Sequence, residues 1–177
     1  MKKFILGLIL GLILVPAGVV GYLVSGMAPA ATADPPLPLE KVIAKAALKA
    51  RIAKEMPTSS PEQANEATFL AGADVYRMNC ALCHGIPQQA EPALAKGMYP
   101  KPPQLFQPNH DVADDPPGMT YWKVKNGIRL TGMPSFAAAL SDKEMWQVSL
   151  MLANGDKLPA SVQKALAGPG TTAAPSK

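Results

Sequence analysis

Two cysteines and a histidine within five consecutive positions constrain this chain more than any other feature. They form the sequence Cys80-Ala81-Leu82-Cys83-His84, and the 177 residues contain no other cysteine. This count excludes a secreted scaffold held together by several distant disulfides. The fold must therefore either keep the two thiols free, bind a metal with them, or attach a prosthetic group to them.

The spacing of this motif is typical of covalent haem attachment. Each thiol forms a thioether with one haem vinyl group, and the histidine that follows is placed to bind the iron from one face. A thioredoxin-like dithiol and half of a zinc site stay open as alternatives. A redox dithiol favours a strand-to-helix junction, whereas residues 65–76 have a helical composition. A zinc site needs about four ligands, and only His110 remains to join the motif.

A second iron ligand is predicted at Met133, in the sequence Thr-Gly-Met-Pro-Ser-Phe at residues 131–136. Most methionines fill gaps in cores, and this chain has nine. Met133 differs because it lies in a turn, where the preceding glycine permits close approach of the backbone to a flat ligand and the following proline stiffens the loop. His110 as the second ligand and a five-coordinate iron are the alternatives.

With these residues the chain resembles the class I cytochrome c family over about residues 60–155. Gly72 and Tyr76 are similar to the family's N-terminal helix, in which a glycine lets the C-terminal helix cross closely. That last helix is also indicated locally, since Ser141 and Glu144 form a capping box and residues 154–155, Asn-Gly, signal its end.

The resemblance implies an all-α class I cytochrome c fold, in which the terminal helices cross and short helices and proline-rich loops surround one haem c. We expect Trp146 and Leu150 to cross near Gly72. Residues 120–126 predict a short helix ended by a glycine, and the prolines of residues 86–118 leave room only for short turns. The resemblance further implies a proline carbonyl that accepts a hydrogen bond from His84, and Pro92 is its best match. Trp122 and Arg129 are candidates for contact with the haem propionates, and a surface or core position is the alternative for each.

The N-terminus carries an uncharged stretch, Phe4 to Val24, that spans about 31 Å as a helix. It is longer than the apolar region of a typical signal peptide, although residues 31–33, Ala-Thr-Ala, offer a cleavage site. We predict a single-pass anchor in the bacterial inner membrane. Lys2 and Lys3 place the N-terminus in the cytoplasm and the haem domain in the periplasm; a soluble periplasmic protein after cleavage is the alternative.

An amphipathic helix is predicted over residues 39–56, followed by Pro57. Because its apolar stripe is mostly alanine, we expect it to pack on the globular domain; a basic helix lying on anionic lipid is the alternative. The stripe consists of Leu39, Val42, Ile43, Ala46, Ala47, Ala50 and Ala53.

Four segments follow from these patterns: an anchor or signal sequence at 1–27, a linker with the amphipathic helix at 28–58, the haem domain at 59–158, and a short extension with a disordered tail at 159–177. Residues 57–160 hold eight Lys or Arg against ten Asp or Glu. This acidic balance opposes nucleic-acid binding, despite the net charge of +4 for the whole chain.

With both axial positions filled, the site predicts an electron carrier rather than an enzyme, without a small-molecule substrate. We expect redox-protein donors and acceptors at the membrane, in a respiratory chain or beside a dehydrogenase. An electron-entry subunit of a larger membrane oxidoreductase is an alternative, as is a haem sensor or enzyme with an open axial site.

Overall fold

The chain is described by a computed structural model that covers residues 1–107 and 114–168. Over these residues it contains eight α-helices and no β-strand, which confirms the all-α prediction. The helices are α1 (Lys2–Val24), α2 (Glu40–Glu55), α3 (Glu66–Asn79), α4 (Ala81–His84), α5 (Ala93–Lys96), α6 (Pro117–Asn126), α7 (Asp142–Leu152) and α8 (Ala160–Ala167).

The chain divides into two compact units, Met1–Val42 and Ile43–Lys177. The boundary lies within α2, inside the predicted linker segment 28–58. The first unit contains α1, whose residues are all exposed and whose mean hydropathy reaches 2.6. By length and composition, α1 is the one helix among the described residues that is able to cross a membrane.

The second unit is organised by the crossing of α3 and α7. Gly72 makes this crossing possible, because a methyl group added there would lie 2.8 Å from the carbonyl carbon of Gln147 and 2.9 Å from Cβ of Met151. Trp146 and Leu150 were the expected contacts of Gly72. The residues observed nearest to it, Gln147 and Met151, each lie one position further along α7. Nearly every side of α7 is buried, so its apolar periodicity does not identify the face that meets α3. Trp146 instead stacks on Tyr121 of α6, with ring centroids 4.3 Å apart.

Both helices of this crossing begin with the caps that their sequences indicate. The side chain of Asn65 accepts a hydrogen bond from the Thr68 amide at 3.0 Å at the start of α3. The predicted capping box of α7 is present, since the Ser141 amide donates to the Glu144 carboxylate at 2.8 Å and the Ser141 hydroxyl accepts from the Glu144 amide. The two longest core elements therefore start where local chemistry places them.

Helix α8 corrects the prediction that the chain after residue 158 is only a short extension and a tail. Leu158, Val162 and Leu166 are buried in the same core as α3 and α7. The hydroxyl of Ser161 is hydrogen-bonded to the carboxylate of Glu66 at the start of α3. The missed signal is the four-residue spacing of Val162 and Leu166, between a proline and a glycine. The predicted tail itself, residues 169–177, lies outside the described residues.

Helix α2 joins the second unit through its C-terminal end. Ile52 is buried and Leu48 half-buried, and the Glu55 carboxylate accepts a hydrogen bond from the indole N–H of Trp122 in α6 at 3.2 Å. The Pro57 carbonyl that follows lies directly against Gly118. The helix packs on the domain as expected, but through the wrong face, because the predicted alanine-rich stripe is exposed throughout.

Candidate haem site

The cysteine–histidine motif forms a tight turn at the end of α3. Cys80 caps α3 and begins α4, and its carbonyl accepts hydrogen bonds from the amides of Cys83 and His84 at 3.1 and 2.9 Å. Both thiols and the imidazole thus project from a single helical turn. Gly85 then takes φ +71, a conformation that favours glycine, and its carbonyl accepts from the buried hydroxyl of Tyr76 at 2.7 Å.

The thiol of Cys80 lies in surroundings that oppose thiolate chemistry. Burial, followed by the neighbouring Cys83, raises the pKa of Cys80 to about 12. A redox dithiol of the thioredoxin kind requires a thiolate with a lowered pKa, so this environment disfavours the dithiol interpretation. Nor do three or more His, Cys, Asp or Glu side chains within 1–107 and 114–168 gather to hold a metal ion. The zinc alternative thus lacks a ligand set in the described part of the chain.

His84 is oriented by a carbonyl oxygen rather than by a carboxylate. Its Nδ1 lies 2.8 Å from the carbonyl oxygen of Pro103. A carbonyl only accepts hydrogen bonds, so Nδ1 carries the proton and Nε2 keeps its lone pair. Burial lowers the pKa of His84, against a smaller opposite effect of the Pro103 carbonyl. His84 is therefore a neutral imidazole with Nε2 available as a metal ligand.

The acceptor was expected at Pro92, and the structure corrects this to Pro103. Residues 91–101 form a loop that is closed by an ion pair of 2.9 Å between Glu91 and Lys101. Pro92 precedes α5, and its ring lies beside Gly85. The segment after this loop binds α4, since the Gln104 side-chain amide donates to the Cys83 carbonyl at 3.0 Å and the Leu105 amide to the His84 carbonyl at 3.4 Å. Because these bonds join residues about 20 positions apart, no local sequence pattern identified Pro103 or Gln104.

Met133 lies in a loop that is bound to the end of α6, and we call residues 127–136 the methionine loop. The Met133 carbonyl accepts from the Ile128 amide at 3.1 Å, and the Met133 amide donates to the Thr131 hydroxyl at 3.1 Å. Further along, the Ser135 hydroxyl donates to the Lys125 carbonyl at 2.6 Å. Gly127, with φ +67, gives this loop room, since an added methyl group there would lie 2.6 Å from the Ser135 amide nitrogen.

A polar network ties together the two helices that the methionine loop connects. The Asp142 carboxylate, at the start of α7, accepts from the Tyr121 hydroxyl at 2.7 Å and from the Lys125 ammonium at 3.0 Å, both on α6. The hydrogen bond from Tyr121, and next the one from Lys125, hold the pKa of Asp142 below its usual range. Both ends of the loop are thereby fixed.

Met133 and Cys80 border the same hydrophobic core, on separate elements. Both are partly buried against it, together with Leu105 and Phe106; Phe106 also makes an edge-to-face contact with Tyr76 at 5.2 Å. Sequence reasoning missed Met98, whose methyl group lies directly against Gly132, next to Met133. Met98 is one of nine methionines, and although Gly97 precedes it, it lacks the directly following proline that marked out Met133.

The remaining predicted site residues receive different placements. The indole N–H of Trp122 donates to the Glu55 carboxylate in α2, and its propionate contact stays a prediction. Arg129 is exposed in the methionine loop, and its propionate contact stays a prediction. His110, the alternative axial ligand, lies outside the described residues.

The donor set fits a covalently attached haem. Two free cysteines and an imidazole with an available Nε2 occur on one turn, and Met133 borders the same core on a braced loop. These are the residue types that hold and ligate c-type haem. Cys80 and Cys83 would form the thioethers, with His84 and Met133 as the candidate axial ligands.

Comparisons with known proteins agree with this chemistry. Residues 66–150, from the start of α3 into the last turn of α7, match the protein family described as cytochrome c oxidase, cbb3-type, subunit III. A search among curated proteins gave no match.

Among solved structures, the chain is similar to a chain of the reducing HAO-like protein complex Kustc0457/Kustc0458 of Kuenenia stuttgartiensis. The two share 26% sequence identity with a TM-score of 0.42, and the similarity covers 54% of this chain and 47% of that one. The family match, the haem-attachment motif and the all-helical fold together establish residues 66–150 as a c-type cytochrome domain.

Proposed function

We propose that this protein is a membrane-anchored electron carrier with a single haem, ligated by His84 and Met133. The observation that carries the proposal is the hydrogen bond between Nδ1 of His84 and the Pro103 carbonyl. It selects the tautomer that exposes the Nε2 lone pair, one residue after the second attachment cysteine. Haem bound there supplies one-electron exchange between Fe(III) and Fe(II).

Different residues of the protein would attach the haem and adjust its reduction potential. Cys80 and Cys83 fix its position covalently, and the bond to Pro103 prevents the His84 ring from rotating and strengthens it as a donor. Met133, on the braced methionine loop, would supply a soft thioether as the second ligand, which would favour Fe(II) and raise the reduction potential relative to two imidazoles.

Filled axial positions favour a carrier over an enzyme. If His84 and Met133 both bind, no coordination position remains for oxygen, peroxide or a substrate, and electrons pass only by outer-sphere transfer. A sensor or enzyme would need Met133 to leave. The bonds from Met133 to Ile128 and Thr131 and from Ser135 to Lys125 oppose such movement.

We propose that α1 anchors the haem domain on the periplasmic side of a bacterial inner membrane. Its length and hydropathy suit a span, and Lys2 and Lys3 precede it, as the positive-inside rule requires of a cytoplasmic N-terminus. Cleavage near Ala31 to Ala33 would instead release a soluble periplasmic protein. The intact mass of the purified chain separates the two.

Membrane confinement favours membrane-bound redox partners by raising their effective concentration. The matched family carries the name of an oxidase subunit, which supports a second candidate role, that of a haem-carrying electron-entry subunit in a larger membrane oxidoreductase. Purification from native membranes in mild detergent distinguishes the two, since a subunit brings stoichiometric partners and a mobile carrier emerges alone.

The ligand assignment is tested by optical spectra of the haem-loaded protein. We expect the weak long-wavelength band of iron–methionine ligation in the oxidised form, and a mass increment of one haem. Met133→Ala removes the band and lets the reduced protein bind carbon monoxide. Met78→Ala, at a methionine that is 76% exposed on α3, is the control and keeps the wild-type spectrum. A wild-type protein that binds carbon monoxide readily would refute the carrier proposal.

A further inference from the structure

Helix α2 presents to solvent the apolar side that its sequence suggested for burial. Four residues at helical spacing define this surface, the α2 outer stripe: Ile43, Ala46, Ala50 and Ala53. All four are exposed, and Ile43 is 64% exposed. The contacts with the haem domain lie elsewhere, at Ile52 and Glu55.

The helix therefore has two separate apolar faces. At 100° per residue, Leu48 and Ile52 lie nearly opposite the outer stripe. The face that carries Leu48 and Ile52 is already occupied by the domain, as the burial of Ile52 and the hydrogen bond from the Trp122 indole to Glu55 show. Within residues 1–107 and 114–168, the outer stripe is exposed along its whole length.

The charges beside the stripe indicate which kind of partner it would bind. Lys49 borders one side of it and Lys54 the other, at the angles set by the helical repeat. The helix's two acidic residues have partners of their own. Glu40 accepts from the Leu37 amide at 2.9 Å, and Glu55 is paired with Arg51 at 2.7 Å. An apolar strip edged by lysines is complementary to a bilayer surface that contains anionic phospholipid.

The position of α2 in the chain agrees with this assignment. It begins at Glu40, shortly after the candidate span ends at Val24. Leu39 and Val42, at its N-terminal end, are 67% and 65% exposed. A helix tethered this close to a span stays at high effective concentration near the surface, so even a shallow, mostly alanine stripe is sufficient for contact.

We propose that the α2 outer stripe lies on the anionic surface of the membrane that holds α1. Because the opposite face of α2 is fixed to α6 through Glu55 and Trp122, this contact would set the orientation of the haem domain relative to the bilayer. The inference rests on the anchor proposed above and is independent of the haem ligands.

Spin labels test the contact in the full-length, haem-loaded protein in vesicles of phosphatidylcholine and phosphatidylglycerol. Thioethers occupy both native cysteines, so one added cysteine is labelled uniquely. We expect labels at Ala46→Cys and Ala50→Cys to collide several-fold less with a water-soluble nickel chelate than a label at Gln163→Cys, an exposed site on α8, and more with oxygen. Ala44→Cys, exposed on another side of α2, is the internal control and resembles Gln163→Cys.

The lysines supply a second measurement. Replacing Lys49 and Lys54 with glutamine weakens the contact by about fivefold per lysine, so the labels on the stripe become accessible to the nickel chelate. The inference is wrong if, with all lysines present, the label at Ala46→Cys is as accessible to the nickel chelate as the label at Gln163→Cys. It is also wrong if the stripe labels are shielded from both the nickel chelate and oxygen, which indicates protein contact, or if their shielding from the chelate persists unchanged in pure phosphatidylcholine. Vesicle flotation reports the anchor separately.

Discussion

Replacing Gly72 with alanine is the sharpest test of how this domain is assembled. The added methyl group would lie 2.8 Å from the carbonyl carbon of Gln147 and 2.9 Å from Cβ of Met151. Favourable carbon–carbon contacts need about 3.5–4.0 Å, so α3 and α7 would have to separate by roughly 1 Å. The carbonyl belongs to the backbone of a buried helix and has no alternative rotamer.

The magnitude follows from two opposing effects. Overpacking in a core typically costs about 1–3 kcal/mol of unfolding free energy. Because the added methyl group collides with a backbone carbonyl, we expect a cost of about 3 kcal/mol, at the upper end of that range. Alanine offsets this by about 1 kcal/mol through its better helix propensity. The net loss is about 2 kcal/mol, or about 8–16 °C in melting temperature for a domain of roughly 100 residues.

The assay is thermal unfolding of haem-loaded protein, followed by far-ultraviolet circular dichroism. Gly97→Ala is the matched control, because its added methyl group meets only the Leu94 carbonyl at an ordinary 3.8 Å; we expect it to melt within a few degrees of wild type. If Gly72→Ala melts as high as Gly97→Ala, the close crossing does not limit stability and the reasoning is refuted.

Three further perturbations probe α8, the polar network and the methionine loop. Leu166→Ala removes a fully buried side chain and lowers the unfolding free energy by about 3 kcal/mol in guanidinium titrations; Lys164→Ala, on the exposed side of α8, has no such effect. Asp142→Asn removes a carboxylate whose pKa is depressed in the fold. Its stabilising contribution is complete above the ordinary pKa of 3.8 and disappears as pH falls through the lower folded value, so the melting difference from wild type closes in acid. Gly132→Ala places a methyl group on that of Met98 and weakens the iron–methionine band, and adding Met98→Ala restores it. If Asp142→Asn still melts below wild type in acid, the argument for the polar network is wrong. If Met98→Ala does not restore the iron–methionine band of Gly132→Ala, the argument for the methionine loop is wrong.

Local chemistry predicted those parts of the fold that are determined within a few residues. Asn65 caps α3, the capping box starts α7, and Gly127 ends α6, each where the sequence indicates. The same holds for Cys80 to His84, because the spacing itself places three donors on one turn. In these cases, neighbouring residues supply both the signal and the partner.

The errors occurred where the partner is distant in sequence. The acceptor of the His84 proton is Pro103, because Gln104 and Leu105 bind the carbonyls of the motif after an intervening loop. A family analogy nearer in sequence favoured Pro92. Periodicity likewise indicated that α7 is apolar without identifying which residues face Gly72. Contacts between residues far apart in sequence depend on how whole segments are arranged, and patterns over a few neighbouring residues do not predict that arrangement.

Helix α2 shows a third kind of discrepancy, which is informative about function. Its alanine-rich stripe was expected to face the domain, yet Ile52 and Glu55 make the contact from the other side. An apolar stripe kept in water gains nothing from its composition, whereas one bordered by Lys49 and Lys54 gains both burial and charge pairing at an anionic bilayer. We therefore interpret the periodicity of α2 as the signal of an interface, and the membrane contact proposed above is the partner that matches its chemistry.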